Sequence, residues 1–302
     1  VITIIFTYKI YKEEEDEQVI TIIQSLSASV IIITFVFVLA ATYYIRRLQR
    51  LRKHKTDYEI IKDRLRRQYL VNKYQSECFH NITHYHRNLN ARLQDFMRNQ
   101  KSYSLEDLKY LIDRFDYYLI ILTTNLQNYF SFVTNDNCSV TLKIIDPSKK
   151  YIRTFFRDPI NLNKRKKSDR QYQENKYRIS ENTAFDIIVS SKYSNLHFFD
   201  DNLKELYENH EYKNSNRKWY ELYNATLVVP ISMLIKENKR DILGFITIDN
   251  FKGNLSTDSN KEFLFGVGDL LYNIFIKYAN FVKFASSKIK DNERINTFNM
   301  GD

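Results

Sequence analysis

Two apolar segments, Leu227-Val-Val-Pro-Ile-Ser-Met-Leu-Ile235 and Ile242-Leu-Gly-Phe-Ile-Thr-Ile-Asp249, are separated by the polar residues Lys-Glu-Asn-Lys-Arg-Asp. Both segments are rich in β-branched residues and have the length of a strand. A short polar connection between two such segments is typical of an antiparallel hairpin. We therefore predict two neighbouring strands here, and this hairpin forms the centre of the predicted fold.

The sequence around this hairpin predicts further strands and helices. Residues 139–145 and 151–156 have strand composition and flank a Pro-Ser-Lys-Lys turn, which predicts a second hairpin. Residues 158–179 are polar without a period and predict a mobile loop, whereas residues 182–190 predict a short helix. Apolar residues at helical spacing from Phe263 onward predict a long amphipathic helix. This order indicates an α+β fold with one antiparallel sheet flanked by helices.

Four segments of this region resemble GAF domains. They are Asn182-Thr-Ala-Phe-Asp-Ile-Ile-Val189, Phe198-Phe-Asp-Asp-Asn202, Ala225-Thr-Leu-Val-Val-Pro-Ile231 and Ile242-Leu-Gly-Phe-Ile-Thr-Ile-Asp-Asn250. Together with the closing helix, the resemblance covers roughly residues 105–284. It implies a fold similar to GAF and PAS domains, with a cupped sheet face for a small ligand and helices that often pair two protomers.

The same resemblance implies where a ligand would bind. The pocket would lie between the sheet and the loops before the strand at residues 225–231. Mapped onto this chain, it would be lined by aromatic residues, namely Phe155, Phe185, Phe198, Phe199, Trp219, Tyr220 and Tyr223. Such rings either stack on a flat ligand, such as a nucleotide base, or fill the core. The sequence has no Gly-rich phosphate loop and lacks the Asn-Lys-Phe-Asp-Glu set typical of cyclic-nucleotide GAF domains, so the ligand and any cofactor stay unknown.

A long uncharged run lies near the start of the sequence. Residues 19–45 contain no charged side chain, are preceded by acidic residues at 13–17, and are followed by Arg46, Arg47 and further basic residues. As a helix the run would be about 40 Å long, enough to cross a hydrocarbon core of about 30 Å. Lys and Arg collect on cytoplasmic flanks, so we predict a helix in the cell membrane with the C-terminal domain in the cytoplasm. Residues 1–18 are either an external segment or the end of a first membrane helix.

A helical connector is predicted at residues 46–102. Its apolar positions follow steps of three and four residues, which is heptad spacing, although polar residues interrupt the middle of the seam. This pattern predicts a marginal, switchable parallel dimer or higher oligomer, and His86 on the seam would make the pairing sensitive to pH. Ser104 and Asp107 then form a cap for a new helix, which begins a domain at residues 103–286; residues 287–302 are a predicted flexible tail.

The sequence gives little support for a nucleic-acid partner, for catalysis or for a metal site. The net charge is +10, but the basic residues are interleaved with acidic ones, so we predict no nucleic-acid partner. Neither a GxSxG nor an HExxH motif occurs, and we predict a protein that is not an enzyme and has no metal site. His84 lies in a weak likeness to the phosphoacceptor box of histidine kinases, but no ATP-binding domain accompanies it. His80 and His84 share a helix face without a third ligand to close a zinc site.

These patterns together predict a membrane-anchored signalling protein. Its cytoplasmic GAF-like domain would sense a small ligand or a protein partner and relay the change through the dimeric connector. An alternative is a membrane effector, as in some bacterial defence systems, whose helices perturb the bilayer when the domain is triggered. A third is an adaptor that recruits a separately encoded kinase or cyclase.

Overall fold

The computed structural model describes residues 2–162, 176–190, 197–236 and 239–298. The chain divides into two compact units, Val1–Tyr69 and Leu70–Asp302, which are described separately. The second unit begins before residue 103, so it includes residues that the sequence interpretation assigned to the connector.

The first unit is helical and belongs to helix α1 (Ile2–Arg98). Its apolar side chains between Val30 and Ile45 are exposed around the whole helix; Phe37, for example, is 75% exposed. Within the described residues, one helix is long and apolar enough to cross a membrane, and none of its most apolar stretch is buried.

The second unit contains one antiparallel sheet, which confirms the predicted α+β class. In the described residues it has six strands in the order β3-β2-β1-β6-β5-β4. They are β1 (Ser139–Ile145), β2 (Tyr151–Arg157), β3 (Tyr177–Arg178), β4 (Phe198–Asp200), β5 (Ala225–Lys236) and β6 (Lys239–Asn250). The hairpin predicted from the sequence is the β5–β6 pair, and both of its strands lie inside the sheet, as expected for their apolar composition.

The second unit also contains helices, and four of its α-helices lie wholly within the described residues. They are α2 (Leu105–Thr134), α3 (Thr183–Ser190), α4 (Leu203–Glu208) and α5 (Asp258–Phe298). Helix α2 begins as predicted, because the Ser104 side chain accepts a hydrogen bond from the Asp107 amide and the Asp107 carboxylate accepts one from the Ser104 amide. Helix α5 continues past the predicted start of the flexible tail, since no Gly or Pro interrupts it between Gly268 and Phe298. The predicted loop at 158–179 lies largely outside the described residues.

The sheet separates two cores because side chains alternate along its strands. On one side, strand residues such as Ile246 pack against α1, α2 and α5; we call this the helix-side core. On the other side, Phe245 packs with Phe185 and Trp219; we call this the cavity-side core. Both faces of the sheet are therefore covered.

The heptad pattern has a second explanation in this structure. Ile82, Leu89, Leu93 and Phe96 lie on the predicted seam, yet each is at most 4% exposed within the helix-side core of a single chain. Packing of α1 onto α2 and α5 needs the same apolar stripe that a coiled-coil partner would need. These four side chains are thus buried by packing within a single chain.

Two glycines of α5 provide a matched pair for testing the packing of this helix on the sheet. A Cβ atom at Gly268 would lie 2.8 Å from the carbonyl oxygen of Pro230, whereas at Gly266 no atom lies within 4 Å. We expect Gly266→Ala to raise the free energy of unfolding by about 0.5–1 kcal/mol through helix propensity. Gly268→Ala should instead lower it by about 1–3 kcal/mol through overpacking. Urea unfolding of the two variants measures both; equal effects would contradict the described contact.

Candidate functional site

A cavity of about 80 Å³ lies on the side of the sheet opposite the long helices. Its floor is the sheet itself and consists mainly of polar side chains, namely Thr141, Lys143, Thr154, Arg157, Thr226, Thr247 and Asp249. Its roof comes from α3 and the segment before β5, namely Asn182, Ala184, Phe185, Tyr212, Asn214, Ser215 and Tyr223. Polar groups are costly to bury, so their concentration here singles out this region from the rest of the interior.

Strand register places the floor residues in rows. Thr141 of β1 lies directly opposite Arg157 of β2 and opposite Thr247 of β6. In the adjacent row, Asp249 lies opposite Ser139 on one side and Thr226 on the other. The side chains of both rows point to the same face, which brings a hydroxyl, a guanidinium and a carboxylate to one floor.

The Thr141 hydroxyl is the notable group of this floor. Its side chain is 1% exposed, and among the described residues no hydrogen-bond partner reaches Oγ1. A buried hydroxyl without a partner costs about 1–3 kcal/mol of stability. Such a group in a cavity is suited to donate to, or accept from, a bound molecule.

The charged residues of the floor are held by neighbouring side chains. Arg157, 8% exposed, donates from Nη1 to Ser139 Oγ at 3.0 Å. Thr226 Oγ1 donates to Asp249 Oδ1 at 2.6 Å. Lys143 Nζ donates to Thr154 Oγ1 at 3.4 Å and lies 5.7 Å from the Phe185 ring centroid. These contacts hold the three charged groups in defined positions.

Two tyrosines and an amide form part of the roof. Asn214 Nδ2 donates to Tyr212 Oη at 2.9 Å and to Tyr223 Oη at 2.8 Å. Burial raises the pKa of Tyr212 to about 12 and raises the pKa of Tyr223 well above its usual value. Both phenols are therefore neutral at physiological pH. Asn182 anchors the same roof, because its Oδ1 accepts from Ser215 Oγ at 3.0 Å.

The aromatic residues predicted to line the pocket fall into different places. Phe185 and Tyr223 line the cavity, and Trp219 lies behind Tyr223 with 5.8 Å between ring centroids. Phe198 also belongs to the cavity-side core, where it stacks on Tyr212. Phe155 and Phe199 instead pack against the helix-side core, and Tyr220 is 48% exposed.

The polar floor is the part of the site that the sequence interpretation missed. Thr247 and Asp249 alternate with Ile246 and Ile248 along β6. Alternation of this kind usually indicates a face in contact with water. In a strand whose two faces are both covered by the chain, the same alternation indicates a polar cavity. Because the sequence predicts an interior position for β6, this alternation could have indicated the cavity.

The other candidate groups of the sequence do not form a site. Among the described residues, no three His, Cys, Asp or Glu side chains are placed to hold a metal ion. His84 is exposed on α1, where Arg87 Nη2 lies 3.4 Å from Nδ1 and Asn88 Nδ2 lies 3.3 Å from Nε2. Residues 70–98 and α2 do form a helical hairpin, but its likeness to histidine kinases is not confirmed.

Both cysteines are buried. Burial raises the pKa of Cys78 to about 12 and that of Cys138 to about 11. Since the thiolate is the reactive form, neither residue is suited to nucleophilic chemistry.

His86 provides a pH-dependent contribution to stability. It packs inside the second unit, 3.4 Å from Tyr118 Oη of α2, and burial together with the positive charge of Lys277 on α5 lowers its pKa. Below its ordinary pKa of about 6.5, the unfolded chain binds more protons than the folded chain. Stability should therefore be full above that pH and fall as the pH drops through it towards the lowered folded value. Urea unfolding at several pH values measures this.

The matched controls for this prediction are two histidine variants. His86→Leu should remove most of the loss between neutral and mildly acidic pH, whereas His84→Leu, at an exposed position of the same helix, should retain it. Identical pH profiles for the two variants would show that His86 is not responsible.

Comparison with known proteins yields similarities of structure only. No protein-family model matches the chain, and no curated protein is similar to it. Among solved structures, the GAF domain of an Acinetobacter phosphoenolpyruvate-protein phosphotransferase is 13% identical, covering 62% of this chain and 89% of that domain with a TM-score of 0.36. The corresponding GAF domain from Coxiella burnetii is 12% identical, covering 63% and 94% with a TM-score of 0.39. The chain is thus similar in structure to GAF domains, and no function follows from this similarity.

Proposed function

We propose that this chain is a membrane-anchored signalling protein whose GAF-like domain binds a small molecule in the polar cavity and relays its presence through α1. The observation that carries the proposal is the cavity itself, with a buried Thr141 hydroxyl that has no partner among the described residues. A buried hydroxyl without a hydrogen-bond partner destabilises the folded state, and apolar residues could fill the same space. Such a group is therefore expected where a ligand or a water molecule supplies the missing hydrogen bond.

A packed route between the cavity and α1 supports the relay. On β2, Thr154 lines the cavity and the next residue, Phe155, faces the helices, with its ring centroid 5.5 Å from that of Phe275. Further ring contacts lead from Phe275 to Phe115, Tyr278 and Phe281, and Phe281 lies 4.9 Å from Phe96 of α1. Close-packed rings transmit small displacements, so a shift of β2 on binding would reach α1.

Membrane anchoring is supported by exposure and by charge. Apolar side chains between Val30 and Ile45 are exposed on every side of the helix, and in water such a surface would aggregate. Basic residues follow directly at Arg46 and Arg47, which favours a cytoplasmic location of the domain. We further propose that two chains dimerise through the exposed part of α1 before Leu70.

Ligand binding is tested with the full chain purified in detergent. Native mass spectrometry, before and after incubation with a dialysable extract of the expressing cells, should show a bound small molecule. Ala184→Leu should fill the cavity and abolish this adduct, because Ala184 is a roof residue and 4% exposed. Ala91→Leu, at an exposed position of α1, is the matched control and should keep it. A wild-type chain that never carries an adduct would contradict ligand sensing.

Anchoring and orientation are tested in cells. The full chain should sediment with membranes and resist extraction at alkaline pH, and deletion of residues 19–45 should release it to the supernatant. A C-terminal tag should be protected from protease added to spheroplasts. A wild-type chain that stays in the supernatant would remove the anchor from the proposal, and a digested tag would reverse the orientation.

A further inference from the structure

The size of the cavity limits what it can bind; this inference rests on the proposed function and refines it. A buried water needs about 10–15 Å³ of such space, so about 80 Å³ holds about five to eight water-sized groups. Pockets for drug-sized ligands measure about 300–1,000 Å³. The described cavity therefore has room for one molecule of a few non-hydrogen atoms or for a small cluster of waters.

The charged side chains of the floor are already engaged by the protein. Arg157 donates to Ser139, which lies directly opposite Asp249 in the strand register. Asp249 accepts a hydrogen bond from Thr226, and Lys143 donates to another threonine of the floor. Each of the three charged residues also has a further interaction within the chain. These contacts favour an uncharged ligand, because a charged one would lose its hydration without gaining a free counter-charge.

The threonine hydroxyls of the floor keep hydrogen-bonding capacity for a ligand. A hydroxyl has one donor and two acceptor sites. Thr226 and Thr247 donate to oxygen atoms of the protein, so each keeps acceptor sites. Thr154 accepts from Lys143 and can still donate. Thr141, whose hydroxyl has no hydrogen-bond partner in the described part of the chain, can do both. The floor thus offers donors and acceptors that carry no charge.

Strand register brings these hydroxyls within reach of one small molecule. Thr141 of β1 lies directly opposite Thr247 of β6. On the other side of β6, Thr226 lies opposite Asp249 and so is the diagonal neighbour of Thr247. Opposite residues have Cβ atoms about 4.5–5.5 Å apart, and diagonal neighbours about 7–8 Å. A chain of three or four carbon atoms with a hydroxyl on each carbon matches this spacing.

We propose that the cavity binds an uncharged polyol of about five to eight non-hydrogen atoms, the size of glycerol or erythritol, through hydrogen bonds to Thr141 and the neighbouring threonines. The roof residues named above are all uncharged, and Phe185 and Ala184 among them would contact the C–H groups of the ligand. The floor threonines lie in the sheet and are positioned before the ligand arrives. Such preorganisation lowers the cost of binding.

The experiment compares glycerol with three charged molecules of the same three-carbon backbone. They are glycerate, an anion; 2-amino-1,3-propanediol, a cation; and serine, a zwitterion. The full chain, purified in detergent without glycerol, is titrated with each probe by saturation-transfer NMR, which detects weak ligands. We expect saturable binding of glycerol and binding weaker by about tenfold or more for each charged probe, since the charge would be desolvated without a counter-charge. Erythritol should also bind, and glucose should be too large.

One variant and one matched control separate the site from general effects of polyols. Thr141→Val should weaken glycerol binding by about fivefold or more, with an unchanged or raised melting temperature, because it removes a buried hydroxyl that has no partner among the described residues. Thr56→Val, at an exposed position of α1, should bind normally. Polyols also stabilise proteins because they are excluded from the surface, but that effect does not saturate and would be equal in both variants.

The outcomes distinguish this inference from the proposed function. Binding of a charged probe that is as tight as that of glycerol and is lost in Thr141→Val would overturn the uncharged assignment and leave ligand sensing standing. A charged adduct in native mass spectrometry would do the same. A glycerol response that does not saturate, or that Thr141→Val retains, would overturn the polyol site. A chain that carries no adduct and responds to no probe would overturn both proposals.

Discussion

Gly244→Ala should unfold or severely weaken the second unit, with a loss of at least about 3 kcal/mol in the free energy of unfolding. A Cβ atom at Gly244 would overlap the backbone carbonyl oxygen of Lys143 on the neighbouring strand. Gly244 pairs with Ile144 on one side and Ile231 on the other, so it lies between two strands that cannot move apart without breaking the central sheet. The absence of a side chain is required here by close approach of two backbones.

Urea unfolding followed by circular dichroism measures this effect, with Gly266→Ala as the glycine control that should not destabilise. A partly folded Gly244→Ala chain gives a second result, because displacement of β1 at Lys143 would also disturb the cavity floor. We therefore expect any folded fraction to have lost ligand binding. A stable variant with an intact sheet would show that the two strands are further apart than described.

Phe115→Ala should cost about 3–5 kcal/mol of stability, as other large-to-small changes of buried aromatic residues do. Phe115 is 1% exposed, and its ring stacks on that of Tyr278 with 3.5 Å between centroids. It also contacts Phe155 of β2 and Phe275 of α5, so a single truncation removes contacts to the sheet and to a second helix. The gap that remains cannot close unless these elements shift together.

The control for Phe115 is Phe251→Ala, because Phe251 is 50% exposed and its loss should change stability by less than about 0.5 kcal/mol. Thermal and urea unfolding measure both variants. Similar losses in the two variants would contradict the central position assigned to Phe115. The conservative variant Phe115→Leu should recover part of the stability, since it keeps most of the apolar volume.

Local sequence patterns were sufficient for four of the six described strands, β1, β2, β5 and β6, but not for the site. The β5–β6 hairpin was predictable because its β-branched residues and its short polar turn are both local signals. The pairing of Thr141 with Arg157 depends on an irregularity between Leu142 and Lys143 where β1 meets β2. A shift of one residue moves a side chain to the other face, so this part of the floor could not be deduced from either strand alone.

The aromatic prediction shows the same limit. Phe155 and Phe199 have the composition of pocket residues, yet strand alternation turns them towards the helices. The heptad pattern of α1 was likewise visible in the sequence, but an apolar stripe can pack either against another chain or against other helices of the same chain. Leu89 and Leu93 find that partner in α2 and α5 because the chain folds back at residues 99–104.

Trp219 is the single tryptophan of the sequence, and it is 2% exposed behind the roof of the cavity. Its ring lies 5.1 Å from that of Tyr212 and 5.8 Å from that of Tyr223, the two roof tyrosines. The protein therefore contains one tryptophan fluorophore, located a single side chain away from any occupant of the cavity. Its emission wavelength and quenching by iodide can be followed in the unmodified protein in real time, without a dye or a label.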